Sequence, residues 1–178
     1  FKVVVPGKTL QEIVKIISGE MDENVSIYVT SKHILFEFDN TRVVSRLLEG
    51  EYYKISQMLS SDYETKITIN KKEFLNCIDR ASLLIRESDK KPIIIDIADH
   101  SLKLNINSFF GSMEEEILIQ KEGRDLLIGF NPKFLMDVLR VIDDEEINIY
   151  LVNPKAPCFI RDDKETYTYL ILPVNFTA

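Results

Sequence analysis

Three stretches of this sequence share one plan: VVVPGKTLQEIVKII (3 to 17), ITINKKEFLNCIDRA (67 to 81) and LIGFNPKFLMDVLRVI (127 to 142). Each passes from an apolar strand through a breaker or cap, Pro6, Asn70 or Asn131, into a helix. Asn is a favoured N-cap, Glu73 stands three residues after Asn70 as in a capping box, and Pro132 occupies the first helical position. Leu10, Ile13, Val14 and Ile17 correspond to Phe74, Cys77, Ile78 and Ala81, and to Leu135, Val138, Leu139 and Ile142. Each set lies on one helical face, so one side of every helix is expected to cover a sheet. A recurring unit of this kind cannot bury its apolar face alone, which makes the repeat the strongest constraint on the fold.

After each helix the apolar period changes to two. Val25, Ile27 and Val29 precede Ile34 to Phe38. Pro92 to Ala98 is followed by the alternating Leu102 to Asn107 and then by Glu114 to Gln120. Ile147 to Val152 is followed by Cys158 to Arg161 and Thr168 to Leu172. The expected unit is strand, helix, three strands. The stretch EYYKISQMLSSD (51 to 62) fits neither period and reads as a linker. Two units make a domain and one is left over, which places a half-domain with its linker at residues 1–62 and a complete domain at 63–178. The fold class is α+β, with antiparallel sheets covered on one face by helices.

The chain carries a net charge of −7, which argues against general attraction to nucleic acid. Yet aligning the units superposes Lys8, Lys72 and Lys133, 64 and 61 residues apart, in the first helical turn. A cation there opposes the positive end of the macrodipole, a mild cost of roughly 0.3 to 1 kcal/mol. Seven residues further on come Lys15 and Arg140, with Arg80 beside the corresponding Asp79. Repeated helices carrying cations away from their sheets form a basic strip suited to a polyanion. Solvated helix faces would show a similar distribution, and only the recurrence at one position separates the two readings.

Glycine-rich phosphate loops, HExxH, CxxC and GxSxG motifs are absent from the sequence, so no metal, cofactor or nucleophile is indicated. His33 and His100 fall near turns, and Asp143 to Glu146 forms a hydrophilic turn. Cys77 and Cys158 are too distant in sequence to suggest a disulfide framework, which favours a reducing cytoplasm. No apolar run approaches the ~20 residues of a membrane span, and no signal peptide is visible. The terminal stretch TYLILPVNF (168 to 176) is unusual: Pro173 ends regular pairing, and Leu170 and Leu172 must face opposite to Ile171. One of those faces is then an exposed apolar patch suited to a partner.

The stretches GFNPKFLMDVL (129 to 139), NPKAPCFIRDD (153 to 163) and YTYLILPV (167 to 174), with KEFLNCIDRASLLIRE (72 to 87), closely resemble the C-terminal domain of the bacterial DNA polymerase III beta subunit family, the sliding clamps. VPGKTLQEI (5 to 13) and LLEGEYYKISQML (47 to 59) resemble the second half of that family's middle domain and its exit segment. The resemblance implies a truncated clamp chain, beginning within a strand, with helices lining a ring around duplex DNA. Lys8, Lys15, Lys72, Arg80, Lys133 and Arg140 would face DNA without reading sequence.

The resemblance further implies an apolar groove that accepts short motifs from polymerase and clamp-loader subunits. Its wall here would be Leu170, Leu172, Pro173, Val174, Pro157, Asn131 and Phe134, with Gln57 and Met58 from the linker. Full-length members are homodimers and not enzymes, and the resemblance implies no cofactor, metal or membrane partner. This sequence departs from the family pattern at Tyr53, where a proline is usual, and at Asn175, where an arginine is common. The alternative left open is a stand-alone peptide-binding module that never contacts DNA.

Overall fold

The computed structural model describes residues 2–17, 24–54, 58–59, 62–86, 91–164 and 166–176. The chain divides into two compact units, Phe1–Met58 and Leu59–Ala178.

In the first unit helix α1 (Gly7–Ile17) precedes strands β1 (Ser26–Val29), β2 (His33–Phe38) and β3 (Thr41–Arg46), which form an antiparallel sheet in the order β1-β2-β3. Its small core consists of Ile13, Ile34, Phe36 and Phe38, with Val5, Ile17, Val25, Val29, Val43 and Leu47 packed against it. Thr9 and Ser45 share a 2.7 Å hydroxyl hydrogen bond that ties α1 to β3. Two expectations fail here. The strand expected at Val3 to Val5 is reduced to one bridge, in which the Leu48 N–H donates to the Val4 carbonyl at 2.9 Å. Leu10 and Val14, assigned to the covered face of α1, are exposed. One sheet covers one side of a helix, and these two residues lie beyond its reach.

The second unit contains β4 (Thr65–Asn70), α2 (Lys71–Ser82), β5 (Ile93–Ala98), β6 (Ser101–Ser108), β7 (Gly111–Leu118), β8 (Gln120–Gly123), β9 (Leu126–Phe130), α3 (Pro132–Leu139), β10 (Glu146–Leu151), β11 (Cys158–Arg161) and β12 (Thr168–Ile171). Every pairing is antiparallel, in two sheets ordered β12-β11-β10-β4-β8 and β7-β6-β5-β9. The repeats therefore exchange their first strands. β4, which leads into α2, joins the strands that follow α3; β9, which leads into α3, joins those that follow α2.

The expected strand from Glu114 to Gln120 is broken at Ile119, whose N–H donates to the His100 carbonyl at 2.9 Å. The chain leaves one sheet at that point and enters the other as β8. Gly123, at φ +95, ends β8 where a Cβ would stand 1.9 Å from the Glu64 carbonyl oxygen, so glycine is required. Both sheets and both helices feed one core, in which Phe74, Ile78, Ile93, Leu104, Ile128, Leu135 and Leu139 are fully buried. Each such side chain contributes about 1.5–3 kcal/mol of hydrophobic stabilisation.

Candidate functional site

The helix starts follow from the sequence. The Asn70 Oδ1 accepts the Glu73 N–H at 3.0 Å, and the Asn131 Oδ1 accepts the Lys133 N–H at 3.0 Å with Pro132 at the helix start. These caps fix Lys72 and Lys133 in the first turns of α2 and α3, and both residues are exposed. Lys71, beside Lys72, plays a different part: its ammonium donates to the Ile142 carbonyl at 2.5 Å and closes the end of the neighbouring repeat's helix.

The two helices pack on each other, and at their far ends Arg140 comes within 3.6 Å of Asp79. Arg80 is held by Glu115 of β7 through two hydrogen bonds of 2.6 and 2.5 Å. Arg80 holds the Glu115 carboxyl below its usual range, and the hydrogen bond from Cys77 adds to the effect. Burial, then the charge of Glu115, pushes the Cys77 thiol up to about 12. In the first unit Lys8 is exposed and Lys15 pairs with Glu12 at 2.9 Å. Of the six cations singled out from the sequence, Lys72, Arg80, Lys133 and Arg140 thus share one helix pair in the second unit, while Lys8 and Lys15 share α1 in the first.

The tail forms a second feature. In β12, Ile171 is buried and Leu170 half-buried, and just beyond it Leu172 is 58% exposed, as the alternation requires. Leu170 registers with Phe159 of β11. After Pro173 the chain leaves the five-stranded sheet, and the Val174 N–H donates to the Gly129 carbonyl at 2.8 Å on β9, the edge of the other sheet. The Phe176 ring lies over Gly129, where an added Cβ would be 2.7 Å from its Cδ1 and 2.9 Å from the Val174 oxygen. Val174 and Phe176 thus clip the tail across both sheets and hold Leu172 outward.

Phe134, in the first turn of α3, is 52% exposed, while Pro157, Pro173, Val174 and Asn131 are half-buried. Gln57 lies outside the described residues. Met58 is exposed in the first unit. Gly129 and Phe176 were not among the site residues expected from the sequence. A glycine inside the apolar strand LLIGF was the available signal, because such a residue often marks the close approach of another backbone.

Among the described residues no group of three or more His, Cys, Asp or Glu side chains could hold a metal ion. Asp144 accepts the Tyr167 hydroxyl at 2.6 Å, and the Glu145 carbonyl accepts the Lys71 N–H at 2.9 Å, which gives the acidic turn a structural role. Among those residues no helix is long and apolar enough to cross a membrane.

Two family models together match nearly the whole chain. A family model described as DNA polymerase III beta subunit, C-terminal domain, matches residues 56–175, and one described as the central domain of that subunit matches residues 1–54. The beta sliding clamp of Staphylococcus epidermidis is 37% identical over 176 residues, covering 97% of this chain and 46% of that protein. A crystal structure of a putative DNA polymerase III beta subunit from Eubacterium rectale superposes with a TM-score of 0.85 at 68% identity, covering 99% of this chain and 48% of that one. The DNA polymerase sliding clamp of Bacillus subtilis superposes at 0.83 with 38% identity, covering 99% and 47%. The chain spans about half the length of the relatives it matches.

Proposed function

Because the chain belongs to the DNA polymerase III beta subunit family, we propose that it is the part of a sliding clamp that supplies half of the middle domain (1–62) and the whole C-terminal domain (63–178). Within a complete subunit, paired with a second as a homodimeric ring, it encircles duplex DNA without regard to sequence and performs no catalysis of its own. Such a protein works in the cytoplasm, where the replicating DNA lies.

Lys8, Lys15, Lys72, Arg80, Lys133 and Arg140 face the phosphates in this reading. The recurrence of a first-turn lysine in three like-built helices carries it. Helices α1 to α3 with Arg140 hold seven cations against four carboxylates, a local excess on a chain of net charge −7. Partly neutralised cations attract DNA weakly, which suits a protein that must slide while topology supplies the retention. Replacing Lys8, Lys72 and Lys133 with glutamate in the full-length protein lowers loading onto DNA and flattens its salt dependence by about one counterion per lost phosphate contact. Unchanged loading and slope exclude the DNA-facing role and leave a module that binds only peptides.

Leu170, Leu172, Pro173, Val174, Pro157, Asn131 and Phe134 form the wall that docks short apolar motifs of polymerase and clamp-loader subunits. The outward Leu172 on a clipped tail supports this, since a rigid exposed apolar side chain is suited to act as a binding anchor. Leu172→Ala and Phe134→Ala each weaken binding of a fluorescent partner peptide to the full-length clamp by about tenfold or more, the size of an anchor-residue loss. Undiminished binding in both variants removes these residues from the groove.

A further inference from the structure

Within the second unit, where both repeats of the helix pair are present, the cations fall into three grades. Lys72 and Lys133, in the first turns of α2 and α3, are exposed, and among the described residues neither has an ion-pair partner. Arg80 is the opposite extreme. Two hydrogen bonds of 2.6 and 2.5 Å tie it to Glu115 on β7, which also accepts the Cys77 thiol, and a bidentate pair of this kind holds its geometry. Arg140 lies between the two. It meets Asp79 at one contact of 3.6 Å, with side chains that are 57% and 62% exposed, and otherwise reaches only the Met136 sulfur at 3.9 Å. A single contact between two solvated groups forms and breaks readily.

Asp79 stands where neither the repeat nor the helix favours a carboxylate. The aligned repeats carry Lys15, Asp79 and Arg140 at one position, seven residues after the shared lysine, so the second repeat inverts the charge. The residue also lies in the last turn of α2, Lys71–Ser82, where a carboxylate opposes the negative end of the macrodipole. Its place opposite Arg140 is what sets it apart.

We propose that Asp79 is a built-in competitor for phosphate: it holds Arg140 while no phosphate is near and yields it as the duplex moves past, an inference that rests on the DNA-facing reading of the helix pair given above. A guanidinium takes a phosphate in two parallel hydrogen bonds, where Asp79 offers one contact. Arg140 therefore exchanges easily in either direction. Arg80 already makes with Glu115 the two bonds that a phosphate would offer, so it gains little by exchanging. Asp79 is not stranded when Arg140 leaves, because Arg80, whose guanidinium is held in its charged form first by Glu115 and more weakly by Asp79, remains beside it.

The consequence is a graded grip. Lys72 and Lys133 attract the duplex without local opposition, whereas the Arg140 contact is made against a competitor and released at each step. Every contact that a sliding ring must break raises the barrier to its next step, so Asp79 lowers the friction of the ring on DNA.

Single-molecule tracking of the full-length clamp, loaded on stretched duplex DNA, tests this through the diffusion constant and its salt dependence. Asp79→Asn, an isosteric change at an exposed position whose fold circular dichroism verifies, slows diffusion by about two- to fivefold, the strength of one exposed ion pair. It also steepens the salt dependence by about one counterion per subunit. Arg140→Gln speeds diffusion. In the Arg140→Gln background Asp79→Asn has no further effect, since no arginine is left to release, whereas a mere loss of negative charge acts equally in both backgrounds. Unchanged diffusion in Asp79→Asn overturns the proposal, and so does an equal effect with and without Arg140. Lys72→Gln combined with Lys133→Gln separates it from the reading beneath it. If that pair speeds diffusion while Asp79→Asn does not slow it, the helices face DNA and Asp79 does not compete; if neither changes diffusion, the DNA-facing reading falls as well.

Discussion

Gly129→Ala tests how the tail is held. The new Cβ would stand 2.7 Å from the Phe176 Cδ1 and 2.9 Å from the Val174 oxygen, inside the closest approach of real side chains, so the tail must move. What it gives up is one backbone hydrogen bond, about 0.5–1.5 kcal/mol net, and the half-buried Phe176 ring, about 1 kcal/mol. What it regains is backbone freedom over Val174 to Phe176, about 1–2 kcal/mol per residue. The losses, about 1.5–2.5 kcal/mol, do not exceed the roughly 3–6 kcal/mol of freedom regained over three residues, so docking of the tail is marginal and a small perturbation can reverse it.

The expected outcome is a change in global unfolding free energy below about 1 kcal/mol, with an increase of about tenfold or more in exchange of the Val174 amide, since 1.4 kcal/mol is a factor of ten. Native-state hydrogen exchange by NMR reads both. Partner-peptide binding falls with the tail, because Leu172 loses its fixed outward position. If the Val174 amide in Gly129→Ala keeps its protection and peptide binding is unchanged, the tail is not held by this contact and the reasoning is wrong.

Gly123→Ala is more damaging than Gly129→Ala: the Cβ would meet the Glu64 backbone at 1.9 Å in a φ +95 conformation, and denaturant unfolding is expected to show a loss of about 2 kcal/mol or more. Glu115, held below its ordinary carboxyl range by Arg80, stabilises the fold at pH values above that range, and the contribution is lost as the pH falls through the depressed native value. Glu115→Gln therefore lowers the melting temperature at neutral pH, and the difference from the native protein shrinks on acidification; a constant difference would deny the pair any role. The Cys77 thiol at about 12 and the buried Cys158, also raised by burial, are expected to resist a thiol reagent at mildly alkaline pH until the protein unfolds. Fast stoichiometric labelling of the native chain would contradict that burial.

The repeat, the helix starts at Asn70 and Asn131 and most strands were legible because they are local. A side-chain oxygen capping an N–H three residues away and an apolar period of two or 3.6 are written into short windows of sequence. The outward Leu172 was legible for the same reason, since alternation beside a buried Ile171 leaves no other direction. The first-turn lysines were recognisable only through their recurrence, and the partners of the arginines that follow them were not legible. Glu115 lies 35 residues from Arg80 in sequence, and Asp79 meets Arg140 only because two helices pack.

The exchange of β4 and β9 between sheets depends on which edge each strand can reach once both helices are packed, a condition no window contains. The same holds for the break at Ile119 and for the tail held at Gly129. Periodicity assigned Leu10 and Val14 to a covered face correctly as a design, but burial requires a covering partner, and the fold within residues 2–54 does not supply one. Local pattern thus determined which elements form and which faces are apolar. Tertiary packing alone decided which of those faces are closed, because burial is a property of pairs of elements and not of either one.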